Sequence, residues 1–142
     1  MILSAQQLFS DDQAVTATAV SENVIDLGVA GTPHGGNQLN QDVGKGNKVC
    51  FLAQVTEDFN NLTNLAIAIE TGSTTSLGTV VSTQTILLAD LVAGKQLAID
   101  VLPNGITERY LGLRYTVTGT APTAGKITAG VTMGNQTNVT GA

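Results

Sequence analysis

Apolar and polar residues alternate at a period of two in segment after segment of this chain. In residues 109–118, Leu111, Leu113, Tyr115 and Val117 fall on one side of an extended segment, and Tyr110, Gly112, Arg114, Thr116 and Thr118 fall on the other. In residues 126–133 the odd positions Ile127, Ala129, Val131 and Met133 are again apolar, with small residues between them. The same pattern groups Val49, Phe51, Ala53 and Val55 on one face, Leu65, Ile67 and Ile69 on another, and Leu97, Ile99 and Val101 on a third. Strands are predicted at 15–20, 24–27, 48–56, 64–70, 79–83, 95–102, 109–118 and 126–133, separated by glycine, proline and asparagine turn signals. About eight short strands of this kind predict an all-β, single-domain antiparallel sandwich of jelly-roll type. Only ILLADLVAG, residues 86–94, reads as locally helical, with Gly94 placed to end it.

Two regions escape the alternation. Residues 28–47, GVAGTPHGGNQLNQDVGKGN, are too glycine-rich to continue a strand and longer than a plain connection inside a compact domain. Residues 1–14 form a polar N-terminal arm, matched by a polar tail at 134–142, so the sandwich itself is assigned to 15–133. Leu3, Leu8 and Phe9 are isolated apolar anchors in the arm, suited to docking on a neighbour, and removal of residues 2–9 is expected to leave the sandwich stable. The two threonine- and glycine-rich outer faces of 109–118 and 126–133, set side by side, would form a flat and nearly uncharged surface. Arg114 stands on that outward side and is expected to reach a carboxylate on a partner subunit.

Composition narrows the function. A chain of 142 residues is long enough for one core without metal or disulfide support. Only 12% of residues are charged and the net charge is −5, which lacks the basic footprint of a nucleic-acid binder. No run of about 18 apolar residues predicts a membrane helix, and no basic-then-apolar leader is seen. The single Cys50 lies in the apolar run VCFLAQV and reads as a buried, inert thiol, compatible with a reducing cytoplasm.

Chemistry is scarce. His34 is the only histidine and lies in the glycine-rich loop, with no nucleophile close to it in sequence. The neighbouring acids Asp11 and Asp12, and Glu57 and Asp58, read as surface carboxylates beside turns. No cofactor and no metal site are expected: Asn40, Asp42 and the Gly44 and Gly46 carbonyls offer oxygens, but the bidentate acid that completes a calcium loop is missing. GKGNK lacks the spacing of a phosphate-binding loop. The chain is therefore expected to be a structural or binding module and not an enzyme. A non-catalytic carbohydrate- or protein-binding jelly-roll module is the alternative, although 4% aromatic residues and no tryptophan offer little to stack on a sugar ring.

Three blocks carry a resemblance. SDDQAVTATAVSENVIDLG (10–28), DVGKGNKVCFLAQVTEDF (42–59) and LPNGITERYLGLRYTVTGTAPTAGKITAGV (102–131) resemble, in order, the small capsid cement or decoration proteins of tailed bacteriophages, of the type found in a Bordetella podovirus. The resemblance implies a jelly-roll protein made in the bacterial cytoplasm and carried on the outer capsid surface of the virion. There it would bridge neighbouring major capsid proteins, as a homodimer or a trimer. Leu3, Leu8 and Phe9 of the arm, His34, Asn40 and Lys45 of the glycine-rich loop, and Arg114 are the residues expected to touch the capsid or a partner.

The face assignment in 109–118 is directly testable. Tyr115→Ala is expected to cost about 3–5 kcal/mol as a large-to-small core change, and Thr116→Ala well under about 1 kcal/mol, by chemical denaturation. Equal midpoints for the two variants would reverse the assignment.

Overall fold

The computed structural model describes residues 3–39, 49–99 and 102–134. Nine strands form among them: β1 (Leu3–Ala14), β2 (Ala19–Val20), β3 (Ile25–Asp26), β4 (Cys50–Glu57), β5 (Leu62–Gly72), β6 (Thr79–Leu87), β7 (Gln96–Ile99), β8 (Tyr110–Gly119) and β9 (Lys126–Thr132). One sheet runs β1-β9-β4-β7 and the other β2-β8-β5-β6, with β3 also paired to β8. All pairs are antiparallel, giving the all-β sandwich that the alternation predicts.

The core lies where the alternation puts it. Phe51, Ala53 and Val55 of β4 and Ile127 and Ala129 of β9 meet Leu65, Ile67 and Ile69 of β5 and Leu111, Leu113 and Tyr115 of β8. Each side chain alternates in and out because the pleat has a period of two, so burying one face of a strand fixes its register.

Several expectations are corrected. The predicted strand at 15–20 shrinks to Ala19–Val20, because the Val15 N–H turns to the Gly125 carbonyl at 3.1 Å and Thr18 meets β8 through its side chain, its Oγ1 accepting the Val117 N–H at 3.0 Å. The helix expected at 86–94 is a single 3-10 turn at Leu88–Asp90, because Ile86 and Leu87 are claimed by β6, where Ile86 pairs with Leu65 and is buried. Met133 is 89% exposed beyond the end of β9 instead of facing the core.

The largest correction to the layout concerns β8 and β9, which do not pair. They belong to opposite sheets, and the chain between them crosses the end of the sandwich. Glycine is required at both corners. Gly119 turns at φ 94° with its α-carbon against Thr63, and Gly125 at φ 131° packs so closely on the Phe59 ring that a β-carbon would lie 2.3 Å from it. Asn60 holds the span between them: its Oδ1 accepts the Thr123 and Ala124 N–H groups at 2.8 and 3.2 Å, and its Nδ2 donates to Thr123 Oγ1 at 2.8 Å.

Residues 3–14 are not an arm. They form β1, a sheet strand on β9, with Leu8 opposite Gly130 and Gln13 opposite Ile127. Phe9 is 1% exposed and meets Phe51 at a ring-centroid distance of 5.9 Å. Ser10 and Gln13 enter the core beside it. The Ser10 hydroxyl donates to Gln13 Oε1 at 2.6 Å, which leaves Tyr115 as the donor in the 2.7 Å bond between the Tyr115 and Ser10 hydroxyls. Gln13 then donates to the Val20 carbonyl at 3.1 Å and accepts the Glu22 N–H at 3.0 Å. Burial pushes the Tyr115 hydroxyl well above the ordinary tyrosine range, with the Ser10 bond opposing that shift in part.

Removing residues 3–9 is therefore expected to unfold the domain or lower its melting temperature sharply, the reverse of the expectation from sequence. Phe9→Ala should cost about 3–5 kcal/mol and Tyr115→Phe about 1 kcal/mol, read by denaturant titration. A Phe9→Ala loss below about 1 kcal/mol would take Phe9 out of the core.

Candidate interaction surface

The outer face of the β2-β8-β5-β6 sheet is built from residues whose neighbours point inward. Cross-strand rows run Thr118, Asn64, Leu87; then Thr116, Ala66, Thr85; then Arg114, Ala68, Thr83; and finally Gly112, Glu70, Val80. Thr118, Thr83, Thr85, Leu87 and Val80 are exposed, and Thr116, Ala66 and Asn64 are half-buried. The threonine face of β8 does adjoin a second neutral strand face, but that face belongs to β5 and β6, not to β9.

One end of this face is closed by the chain's own hairpin loop at 73–78. Its Leu77, at φ 59°, lies with its backbone over Gly72, and its Cδ1 reaches Gly112 so closely that a β-carbon there would stand 2.8 Å away. Beneath the loop, Arg114 Nε donates to both carboxylate oxygens of Glu70 at 2.9 Å, and Arg114 Nη2 donates to the Ser76 carbonyl at 2.9 Å. The Glu70 side chain is 5% exposed and that of Arg114 is 30%. A buried carboxylate without its cation costs several kcal/mol, so Arg114 is committed inside the chain. The carboxylate expected from a partner is supplied by Glu70, across the β5–β8 pair.

The other predicted contact residues are scattered. Leu3 and Leu8 are half-buried in β1, and Phe9 is unavailable because it is core. His34 is exposed in the turn closed by the Gly36 N–H on the Pro33 carbonyl at 3.0 Å, and the loop returns through a Leu39 N–H bond to the Gly31 carbonyl at 2.9 Å. Asn40 and Lys45 lie outside the described residues, as does most of the tail at 134–142. Among the described residues no cluster assembles from these positions. Alternation pointed to Thr116 and Thr118; what it missed is that TVVSTQTIL, an uncharged strand, continues their surface to the sheet edge as β6.

Several charged groups elsewhere have structural partners. Asp12 accepts from Thr56 Oγ1 at 2.6 Å and from Lys126 Nζ at 3.0 Å, Glu57 stands 3.7 Å from Lys126, and Asp58 accepts the Ala93 N–H at 2.6 Å. Among the described residues no group of three or more His, Cys, Asp or Glu is placed to hold a metal. A small, partly open pocket of about 10 Å³, lined by Gln54 and Lys95 as well as Ala53, Val55, Ile67, Ile86, Leu97 and Ile127, has room for about one water. Among the described residues no helix is long and apolar enough to cross a membrane. At the far end of β8, Arg109 grips Asp26 with Nε at 2.8 Å and Nη2 at 2.7 Å, and its guanidinium lies 5.0 Å from the Tyr110 ring centre.

The family model described as Bbp16 matches residues 9–131. No curated protein matches the chain.

The Asp26 contact predicts an acid response. Hydrogen bonds from Arg109 and from the Gly28 N–H hold its carboxyl down at about 2, below the ordinary 3.8. The charged form is favoured by folding, so its contribution is complete above 3.8 and is lost as pH falls through about 2. Asp26→Asn should be less stable than the parent chain at neutral pH, with the gap closing by pH 2 in denaturant titrations. A gap independent of pH would remove Asp26 as its source.

Proposed function

The chain belongs to the Bbp16 family, named for a Bordetella phage protein, and from that premise we propose that it is a non-catalytic cement protein of the phage head. In this reading it lies on the outer surface of the assembled capsid and bridges neighbouring major capsid proteins. The jelly-roll connectivity implied by the resemblance is part of the same proposal.

The observation that carries it is the pairing of that family with the open part of the outer sheet face. Thr116, Thr118, Ala66 and Asn64 offer a flat, uncharged patch on a sheet whose inner side is packed against the core, so it can be covered by another protein without burying an unpaired charge. A rigid sandwich presenting such a patch needs no reaction to act. A contact of standard size, about 1,600 Å² in total, is enough for stable attachment, and touching two subunits of a repeated lattice adds effective concentration.

Co-sedimentation tests the reading. Heads lacking the protein, from the phage that encodes it, should bind the purified chain saturably and resist heat better afterwards. Thr116→Glu with Thr118→Glu should keep the melting temperature and lower head occupancy, with a tenfold weaker affinity corresponding to about 1.4 kcal/mol. Absence of wild-type binding to such heads would refute the cement role. Full binding by the double variant would move the contact off this face.

A further inference from the structure

The turn between β7 and β8 contains Pro103, Asn104 and Gly105, and Asn104 is the only asparagine of the chain that a glycine follows. The main-chain nitrogen of the residue after an asparagine is a nucleophile within reach of the side-chain carbonyl carbon, and the product is a five-membered imide. Glycine favours this closure because no β-carbon obstructs it. Folded chains ordinarily suppress the reaction by holding the side-chain amide and the next N–H in hydrogen bonds, or by burying both.

At Asn104 neither protection operates. Asn104 and Gly105 are both exposed, and neither belongs to a strand or a helix. Among the described residues no hydrogen bond holds the Asn104 side chain or the Gly105 N–H. Space around the bond is open as well: Gly105 turns at φ 115°, and a β-carbon built on it would meet only Val81 Cγ1, at 3.9 Å. The flanking residues, by contrast, are fixed. Leu102 is 2% exposed and donates its N–H to the Val49 carbonyl at 3.0 Å, and Ile106 is fully buried.

We propose that Asn104 is a site of spontaneous conversion to aspartate and isoaspartate in the folded protein. The Gly105 nitrogen gives its proton to solvent and bonds to the Asn104 side-chain carbonyl carbon; the bond from that carbon to the amide nitrogen breaks, and ammonia leaves with a proton taken back from solvent. Water then opens the imide. Attack at the side-chain carbonyl restores the main chain with an aspartate side chain, whereas attack at the main-chain carbonyl sends the chain through the former side chain as isoaspartate. One water enters, one ammonia leaves, and nothing is oxidised or reduced.

Both products add one negative charge to a chain that carries −5, in a turn that lies against Val81 of the uncharged β6. Isoaspartate also lengthens the main chain by a methylene between Leu102 and Ile106, so one of these buried anchors must shift. Charge and fit at this turn therefore depend on the age of the molecule. This chemistry does not depend on the proposed capsid role and is measured without heads.

The test is to keep the native full chain in mildly alkaline water enriched in heavy oxygen, because each imide that opens takes one oxygen atom from solvent. Peptide mass spectrometry then locates the label. It is expected in the tryptic peptide 96–109, where Asn104 is the only asparagine, as two separable products of equal mass. Labelling there should run about tenfold faster than at Asn37, which is also exposed but is followed by a residue with a side chain, Gln38. Asn104→Gln should leave the peptide unlabelled and the melting temperature unchanged. The purified isoaspartyl form should melt below Asn104→Asp, which has the same charge and the original main chain. Labelling at Asn104 that appears only after denaturation, or no faster than at Asn37, would overturn the proposal. Equal melting of the isoaspartyl form and Asn104→Asp would overturn the strain assigned to the Leu102 and Ile106 anchors.

Discussion

The hydroxyl of Ser10, buried between Tyr115 and Gln13, joins the two layers of this sandwich by a direct polar bond. Ser10 belongs to one sheet and Tyr115 to the other, so the bond bridges the two layers inside a mainly apolar core. Leaving any member unpaired would cost about 1–3 kcal/mol, and the chain avoids this by using the Gln13 amide to close the set on the Val20 carbonyl and the Glu22 N–H. The two-residue β2 and the turn that follows it are held by the same amide. Entry of β1 into the core, the path into β2 and the position of the β8 tyrosine are one coupled arrangement.

Against that frame, the outer face of the five-stranded sheet can remain flat because its one buried ion pair is sealed by the 73–78 loop. Glu70 and Arg114 neutralise each other at the covered end, and the open end carries threonine, alanine and asparagine. Charge is thereby kept out of the open part of the face. The ion pair contributes definition to the hairpin more than affinity for a partner.

Strands with unbroken alternation were legible in the sequence. β4, β5 and β8 place Phe51, Ile67 and Leu113 inward as expected, because burial of one face leaves only one acceptable register. β1 was illegible for the opposite physical reason. Its three register shifts break the period of two, so Leu8, Phe9, Ser10 and Gln13 form no pattern despite lying in one strand. The turn residues of GTAPTAG announced a reversal between β8 and β9, yet a reversal within a sheet and a crossing between sheets call for similar glycines. Packing of Gly125 on Phe59, distant in sequence, decides which occurs. Arg114 was visible as an outward cation with a carboxylate to find, but Glu70 becomes its partner only when β5 lies beside β8. The open face was half legible: Thr116 and Thr118 were in view, and of β6 only residues 79–83 were, its end having been read as the start of a helix.

The strand order of the four-stranded sheet also bears on when this protein can become itself. β9 lies between β1 and β4, so the earliest strand and a mid-chain strand share a partner that the ribosome makes last among them. Until Lys126–Thr132 emerges, β1 and β4 both hold open ladders, and Phe9 and Phe51 have only half of their enclosure. Long-range pairing of this kind makes folding slow and leaves apolar strands exposed meanwhile. Assembly of the domain is thus a late event in synthesis, and a nascent chain stalled before β9 is a natural client for a chaperone.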